Sequence, residues 1–593
     1  MWYLPLLTIL MAIGLSIPLG WWLWYRLDCS IARNKLERWL CGGENSGYSI
    51  LGQSWKKYCT SLVLFNIVVF FIGYMILSNQ EHLPLNPDAK KKLAPGTVFN
   101  TACSFLTNTN LQHYAGEVHL SYFSQIFFVL WKQMISPAIG LAALLAMIRS
   151  LRGDSHCGNF YLDIWRTLTE VMIPLSLLVA LLLMPQGVPM TLAGALEVTP
   201  LAPDKEGDKQ IIARGPVAAI VAIKQLGTNG GGFFGTNSSH PFENPTFFTN
   251  LIESICIILL PMACVFLFGR MLKETRQARM IFIVKLLFMA LLIIWAVITD
   301  SQTPNPIFSA SKPMADTPES PFIQSLPVEN EIGNLEGKEL RFGRSAGPTW
   351  SALTTCTSNG SVNCMHDSLN PLSGLTPLCG MWLNCIFGGV GVGLINFLIY
   401  LLIAVFFAGL MVGRTPEYLG KKLEVREVRL AAIALLVHPF LILLPCALFV
   451  TLNWGSESTN NPGAHGFSEI LYEFSSASAN NGSGFEGLQD TWGFAEESAN
   501  PSKPAPHSLA WDIATGIVML LARFIPIIAP IALAAYLAQK KRVPFTSGTL
   551  RTDSFTFALL LVGTILLVGA LLFLPVAALG PIAEHLGPLP FGS

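Results

Sequence analysis

Hydrophobic residues in this sequence are gathered into long runs that polar loops separate. A run of about 20 residues is long enough to cross about 30 Å of hydrocarbon as an α-helix. Ten runs are near this length, so the pattern predicts ten transmembrane helices. They are residues 2–25, 59–77, 122–148, 168–183, 247–268, 281–299, 383–412, 430–452, 511–537 and 555–579.

Four of the intervening loops share a second pattern, in which a short, mostly small or apolar stretch precedes a polar run rich in Thr, Ser, Asn and Gly. The apolar part, about ten residues, is too short to span a bilayer and fits a half-helix that enters and stops. Non-helical backbone at that depth must be buried in protein or line a watery cavity. The four segments are NTACSFLTNTNLQ (100–112), AAIVAIKQLGTNGGG (218–232), SALTTCTSNGSVN (351–363) and LYEFSSASANNGSG (471–484).

Each of these segments lies between two predicted spans, which indicates an internal repeat. The predicted fold class is an all-α polytopic membrane protein, with four pseudo-repeats of helix, re-entrant pore loop and helix around a central filter. One additional helix precedes the repeats and one follows them. The predicted units are 1–56 (first helix and cytoplasmic loop), 57–148, 165–270, 280–413 and 430–540 (the repeats), and 541–593 (last helix).

Four such loops around one axis would direct their carbonyl groups to the centre, as potassium filters do. Glycine supports this reading because it adopts positive φ without strain. The half-helices would add partial negative charge at their C-terminal ends. Ordinary solvated turns have the same composition, but four turns in phase with the helix count are less expected. A dehydrated monovalent cation is the ligand that the pattern favours.

Composition narrows the function further. The chain is 52% hydrophobic with 37 basic and 37 acidic side chains, which excludes the basic surface of a nucleic-acid binder. Lys and Arg cluster in alternate loops, which predicts that these are cytoplasmic and that both termini are extracytoplasmic. The sequence has neither a GxxxxGK[ST] nor a DKTGT motif, and GRSAG (343–347) lacks the strand context of a nucleophile elbow. We therefore expect no catalytic site on this chain and an energy source in a partner.

Longer motifs identify a family. GTNGGGFFGTNSSHPFENPT (227–246), SFLTNTNLQ, VNCMHDS, VGRTPEYLGKK and NPGAHGFSEILY closely resemble the KdpA family, the potassium-binding subunits of bacterial Kdp potassium-transporting P-type ATPases. The resemblance implies the potassium-transporter superfamily of Trk, Ktr and Hkt proteins, and a bacterial cytoplasmic (inner) membrane location. It also implies three partners: a P-type ATPase subunit that uses the ATP, a small single-helix subunit and an accessory subunit. Potassium would be selected from outside and passed through a tunnel to the pump.

The resemblance also places the filter, with K⁺ held mostly by backbone carbonyls. Gln112, Gly231 and Gly232 would lie beside it. Asn359 occupies a position where relatives commonly have cysteine, which should not affect carbonyl ligands. The filter residues would be Thr107, Asn108, Thr109 and Asn110; Gly227, Thr228, Asn229 and Gly230; Thr357, Ser358, Asn359 and Gly360; and Ala479, Asn480, Asn481 and Gly482.

The seventh run, 383–412, has glycines at 388, 389, 391 and 393, which destabilise a straight helix by about 1 kcal/mol each. A broken helix or intramembrane loop is predicted, with close helix packing as the alternative. The resemblance implies a blocking loop below the filter, so Gly388, Gly389, Gly391 and Gly393 are gate or tunnel candidates. Arg414 and Arg523 are further candidates, and for Arg414 the open alternative is that it caps backbone carbonyls at the inner end of the broken span. The segment before Phe387 is short and lacks a glutamate expected in the family, so no role of that glutamate carries over.

Three further expectations concern side chains in or near the membrane. Lys132 with Glu170, and Lys285 with Glu253, are candidate ion pairs between consecutive helices. Arg523 has no acid nearby in its own helix, so its charge could repel potassium at an exit or contact the pump. Cys364, Cys379 and Cys385 are predicted on the outer side, where a disulfide is an open alternative.

A stand-alone potassium channel or an ion-coupled symporter is the rival function. The first and last helices and the long motif matches favour the Kdp subunit.

Overall fold

The computed structural model describes residues 2–28, 33–40, 52–201, 209–302, 333–413, 415–491, 507–544 and 550–587. Ten helices in these ranges are long and apolar enough to cross a membrane, which confirms the predicted number. We call them spans 1 to 10. They are Tyr3–Leu27, Trp55–Ser78, Tyr122–Arg152, Phe160–Gln186, Phe247–Leu272, Thr275–Ser301, Val392–Val412, Val425–Thr451, Ser508–Ala538 and Phe555–Leu586.

Four shorter helices precede the four polar runs, and each lies between two spans along the chain. We call them half-helices 1 to 4. The first begins at a proline, whose missing N–H and fixed φ suit the first helical turn. They are Pro95–Leu106, Val217–Leu226, Ala346–Cys356 and Gly463–Ala479.

Burial separates the spans into an inner and an outer set. In spans 3, 5, 7 and 9, which follow the half-helices, 94%, 89%, 72% and 67% of the most apolar window is buried. In spans 2, 4, 6 and 8, which precede them, the values are 33%, 39%, 50% and 33%. Spans 1 and 10 are equally exposed at 28% and 33%. The inner set therefore forms the core, and the outer helices present apolar side chains suited to lipid.

The seventh run is a broken helix, as predicted. A helix over Pro371–Leu383 ends where Asn384 adopts a left-handed φ of +42°, and span 7 begins at Val392. We call residues 384–391 the intramembrane loop. The break therefore lies at the start of the seventh apolar run, between two apolar helices, where backbone must be covered by protein.

Little else is extended. In the described residues, β1 (Leu196–Val198) pairs antiparallel with β2 (Gln210–Ile212), and β3 (Glu417–Tyr418) pairs antiparallel with β4 (Lys421–Lys422). Short helices complete the connections. They are Lys35–Leu40, Gln80–His82, Gly116–His119, Asn237–Ser239, Leu340–Phe342 and Asn453–Ser456.

The predicted pair of Lys132 with Glu170 is wrong. Lys132 donates to the carbonyl of Val69, whereas Glu170 accepts from Arg26 and Arg33, each at 2.6 Å. Sequence spacing along two helices does not fix how each helix is rotated about its axis. In the structure, the rotation of these helices directs the two charges to different neighbours.

The predicted pair of Lys285 with Glu253 is also wrong. The Lys285 ammonium lies 4.7 Å from the centre of the Phe397 ring, and Glu253 accepts from Gln225 at 2.9 Å and Ser238 at 2.8 Å. Half-helix 2 supplies Gln225, so a re-entrant element takes the place of the expected lysine. The possible disulfide is excluded as well, because Cys364, Cys379 and Cys385 are free.

Candidate functional site

The structure brings the four polar runs together at the ends of the half-helices. We call residues 107–110, 227–230, 357–360 and 479–482 loops 1 to 4, and number the positions within each loop from 1 to 4. All sixteen residues are buried except the half-buried Gly482. None of them carries a charged side chain, so any ligand must be held by backbone groups, hydroxyls and amides.

The four loops leave their half-helices in the same way. At position 3 of each loop, the backbone N–H donates back to the carbonyl five residues earlier, near the end of the half-helix. The bonds are Thr109 to Ser104 (3.0 Å), Asn229 to Lys224 (2.9 Å), Asn359 to Thr354 (2.8 Å) and Asn481 to Ser476 (2.9 Å). These N–H groups therefore point toward the half-helices, which leaves the opposite side of each loop to carbonyl groups.

Positions 2 and 4 of every loop have a positive φ. Alternation of negative and positive φ lets successive carbonyl groups point to one side, as a filter of carbonyls requires. Five of these eight residues are not glycine, and each bears the strain of a left-handed conformation. The φ values are +63° and +53° at Asn108 and Asn110, +50° and +97° at Thr228 and Gly230, +49° and +90° at Ser358 and Gly360, and +50° and +106° at Asn480 and Gly482.

The loops contact one another in a closed ring. A Cβ at Gly230 would lie 2.1 Å from the Asn359 carbonyl oxygen, and one at Gly360 would lie 2.1 Å from that of Asn481. A Cβ at Gly482 would lie 2.0 Å from the carbonyl oxygen of Thr109. Position 4 is thus glycine where the next loop approaches, because a side chain there would collide with backbone.

Loop 1 departs from this rule, since Asn110 stands at position 4. Its neighbour in loop 2 makes the room: a Cβ at Gly231 would lie 2.9 Å from Asn110 Cβ and 2.7 Å from its carbonyl oxygen. Asn108 closes the ring by donating to the Thr228 carbonyl at 2.7 Å. Gly231 therefore has a packing role beside the ring.

Electrostatics favours a cation at the centre of this ring. Each half-helix ends at its loop, and a helix C-terminus carries about −0.5 elementary charge. The C-terminal residues are Leu106, Leu226, Cys356 and Ala479. Four partial charges without any full charge suit a monovalent ion that must also leave the site.

Side chains brace the loops from behind. Asn359 donates to the Lys224 carbonyl at 3.2 Å and accepts from Ser361 N–H at 2.9 Å. Asn481 donates to the Thr354 carbonyl at 3.0 Å and accepts from Ser483 N–H at 3.0 Å. Asn359 thus links loop 3 to half-helix 2, and Asn481 links loop 4 to half-helix 3.

A buried ion pair that the sequence reasoning missed supports loop 2. Lys224, in half-helix 2, contacts Glu243, and both side chains are fully buried. Glu243 also accepts from the N–H groups of Phe233 and Phe234, each at 2.9 Å. The signal was in the sequence, because a lysine inside a re-entrant segment needs a partner.

Gln112 and Gly232, which were predicted to lie beside the filter, contact the ring from its edge. Gln112 accepts from Gly232 N–H at 3.1 Å and from the Asn237 side chain at 2.7 Å, so it ties loop 1 to the exit of loop 2. A Cβ at Gly232 would lie 2.6 Å from a Glu243 carboxylate oxygen. Both residues therefore organise the loops from outside the ring.

The intramembrane loop packs against three of the four loops. Val390 N–H donates to the Thr228 hydroxyl at 3.1 Å, and Asn384 accepts from the Ser358 hydroxyl at 2.9 Å. The Asn384 amide also reaches the Ala479 carbonyl at 3.4 Å. Of the predicted glycines, Gly389 lies closest to this contact, 3.6 Å from the Thr228 hydroxyl as measured from an added Cβ.

The other predicted gate residues shape the loop. Gly388 and Gly393 face each other: a Cβ on either would lie 2.3 Å from the other's Cα. Gly391, with φ of +79°, would bring a Cβ within 2.2 Å of the Gly140 carbonyl oxygen. Arg523 is buried and donates to the Ser136 carbonyl at 3.3 Å, so it lies in the protein core beside span 3. Arg414 lies outside the described residues.

The sequence is similar to those of known potassium-transport proteins. A family model described as KdpA, the potassium-transporting ATPase A subunit, matches residues 6–586. The potassium-transporting ATPase potassium-binding subunit of Geobacillus kaustophilus (strain HTA426) is 43% identical over 587 residues, covering 98% of each chain. The crystal structure of the potassium transporter TrkH from Vibrio parahaemolyticus is 11% identical, with a TM-score of 0.48 over 90% of this chain and 98% of that one.

Proposed function

Because the chain belongs to the KdpA family of potassium-transporting ATPase A subunits, we propose that loops 1 to 4 are its potassium filter. The chain is the potassium-binding subunit of a potassium-transporting ATPase. One observation carries the filter assignment: positive φ recurs at positions 2 and 4 of all four loops, in a closed ring of buried backbone. Carbonyl groups directed at the axis would replace the hydration shell of K⁺.

The intramembrane loop is the proposed barrier below this filter. It is hydrogen-bonded to Thr228 and Ser358, so an ion that leaves the ring meets covered backbone. A narrow cavity lined by Asn384, Asn396, Tyr400 and His438 lies to one side of the loop. We propose that potassium turns toward such a lateral route to reach a partner.

The partner is a P-type ATPase subunit in this proposal, with a small single-helix subunit and an accessory subunit completing the assembly. This chain binds no ATP and hydrolyses none, and the energy for uptake comes from the pump. The loops rich in Lys and Arg face the cytoplasm, so the filter opens outward and both termini are extracytoplasmic. The complex lies in the bacterial cytoplasmic membrane.

A stand-alone channel or symporter would use the same ring. The two proposals differ in what potassium does: in a pump subunit it stimulates ATP hydrolysis by a partner, whereas a channel conducts without ATP. The family membership of the whole chain favours the pump.

The test is potassium-stimulated ATP hydrolysis by the chain co-purified with its partners. Gly230→Asp, at φ of +97°, would place a Cβ 2.1 Å from the Asn359 carbonyl oxygen and bring a carboxylate to the ring. The half-saturating potassium concentration should therefore rise at least about tenfold, or discrimination against sodium should fall. Gly187→Asp is the matched control, because Gly187 has φ of +105° and no atom within 4 Å of an added Cβ. An unchanged potassium response of Gly230→Asp would refute the filter assignment.

A further inference from the structure

A cluster of titratable side chains lies beside the ring, in residues that the filter does not use. His113 follows loop 1 by three residues, and Glu473 projects from half-helix 4. Asp490 comes after loop 4, and Asp512 lies in the first turns of span 9. Only Asp490 is accessible, with 16% of its side chain exposed against 2% for each of the others. The cluster therefore has one open side.

The imidazole of His113 is held in one orientation. Its Nδ1 lies 2.6 Å from Asp512 Oδ1, and the other Asp512 oxygen accepts from the Thr97 hydroxyl at 3.2 Å. Its Nε2 faces Glu473 Oε1 at 3.5 Å and Asp490 Oδ2 at 3.4 Å. Within the described residues, neither His113 Nε2 nor Glu473 Oε1 has a hydrogen-bond partner. These two buried polar atoms thus face each other and Asp490 Oδ2 at ion-pair distance, but neither makes a hydrogen bond there.

A second histidine cluster in the chain shows the contrast. His465 bonds Glu584 through Nδ1 at 2.7 Å and Asp367 through Nε2 at 2.9 Å. Its neighbour Glu469 accepts from the N–H groups of Asn460 at 2.9 Å and Asn461 at 3.1 Å. Both imidazole nitrogens and the Glu469 carboxylate of that cluster therefore have protein partners. In the His113 cluster, by contrast, the imidazole Nε2 has no hydrogen-bond partner among the described residues.

We propose that His113 Nε2, Glu473 and Asp490 bind a divalent cation of the zinc class, with water as the fourth ligand. Tetrahedral Zn²⁺ with bonds of about 2.0–2.1 Å sets neighbouring ligand atoms about 3.3–3.4 Å apart, and the structure has 3.4 and 3.5 Å. All three ligand atoms lie within 4.8 Å of one another. Asp512 on Nδ1 is the carboxylate partner that orients metal-binding histidines.

Ligand type and charge favour this class of ion over potassium. An imidazole nitrogen suits Zn²⁺ and its neighbours in the first transition row, whereas carbonyl, carboxylate and water ligands suit harder cations. Two buried carboxylates, Glu473 and Asp512, and the partly exposed Asp490 face one imidazole. This leaves negative charge that burial makes costly, and a divalent cation offsets it. The open side at Asp490 gives the ion a path and room for water.

The bound ion would connect the exits of loops 1 and 4. Thr491, next to Asp490, donates to the His113 carbonyl at 2.9 Å. Glu473 Oε2 lies 3.8 Å from where a Cβ on Gly484 would be, two residues beyond loop 4. The ion would thus fasten the place where the first and last loops of the ring meet.

The test measures zinc binding to the full-length chain, with any affinity tag removed and the protein first treated with chelator. Equilibrium dialysis should give one Zn²⁺ per chain, unaffected by excess KCl, and Co²⁺ in its place should give the visible spectrum of a tetrahedral N/O site. Asp490→Asn, at the accessible rim, should weaken Zn²⁺ binding at least about tenfold, and Asp512→Asn about 10–100-fold.

His465→Gln is the matched control, because it alters the satisfied cluster and should leave Zn²⁺ binding unchanged. Thermal unfolding of each variant without metal establishes that it is folded. The proposal is overturned if the folded wild-type chain takes up no stoichiometric Zn²⁺. It is equally overturned if Asp490→Asn binds Zn²⁺ as tightly as the wild type, or if His465→Gln is the variant that loses it.

Discussion

Replacing Gly360 by alanine tests the ring with a single methyl group. The added Cβ would lie 2.1 Å from the Asn481 carbonyl oxygen and 3.0 Å from Gly482 Cα, at φ of +90°. A left-handed alanine costs about 1–2 kcal/mol, and overpacking adds about 1–3 kcal/mol. If about 2 kcal/mol of this falls on potassium binding, the Kd rises about 30-fold. Calorimetric titration of the purified chain with KCl, in sodium-free buffer, measures the change.

Two further glycines separate the sources of that cost. Gly343 has φ of +84° and no atom within 4 Å of an added Cβ, so Gly343→Ala introduces backbone strain without collision. Gly563 is helical and equally open, so Gly563→Ala introduces neither. Both variants should keep the wild-type Kd for potassium. A folded Gly360→Ala variant with the same Kd would refute the claim that backbone contact between loops 3 and 4 shapes the site.

Two predictions concern the supports of the ring. Glu243→Gln leaves Lys224 buried without a counter-charge and should lower the free energy of unfolding by about 3–5 kcal/mol, which a lower thermal midpoint would show. Glu197→Gln, at the exposed pair with Lys209, should leave the thermal midpoint unchanged. Equal shifts of the midpoint in the two variants would contradict the reasoning. Burial lowers the pKa of His465, but its bonds to Asp367 and Glu584 outweigh this and raise the pKa to about 10. The charged imidazole of His465 stabilises the fold fully below the unfolded pKa of about 6.5, and this stabilisation is lost as pH rises through about 10. His465→Gln should therefore lower the thermal midpoint at pH 6 but not above pH 10. A shift of the midpoint that is the same at both pH values would exclude the charged imidazole as its cause.

Hydrophobic length and glycine content were enough to predict much of the fold. The ten spans follow from the runs of apolar residues, and the break before Val392 follows from the glycines at 388, 389 and 391, which a straight helix tolerates poorly. Three half-helices follow from stretches of small and apolar residues too short to span, whereas the fourth, Gly463–Ala479, begins eight residues before the predicted segment. These features depend on local sequence alone.

The backbone of the ring was less predictable. Positive φ is expected of glycine, yet Asn108, Thr228, Ser358 and Asn480 adopt it at position 2. Contact among the four loops imposes this conformation, so it cannot be predicted from the sequence of one loop alone. Asn110 shows the same limit: it fits position 4 only because Gly231 of another loop makes room.

Ion pairing could not be derived from helix order. Lys132 with Glu170, and Lys285 with Glu253, were expected to pair between consecutive helices, but each of the four contacts a different element. Partner choice depends on the rotation of each helix and on re-entrant segments that intervene. The same reasons conceal the His113 cluster, whose members are up to 399 positions apart in the chain.

The measurement closest to the central claim is the position of the ion itself. A structure of the complex prepared in Rb⁺ or Tl⁺, with anomalous scattering used to locate the heavy ion, would show it directly. The account predicts a peak on the axis of the ring, in contact with backbone carbonyl oxygens from loops 1, 2, 3 and 4. A peak held by side chains elsewhere, or by carbonyls of only one or two loops, would contradict it.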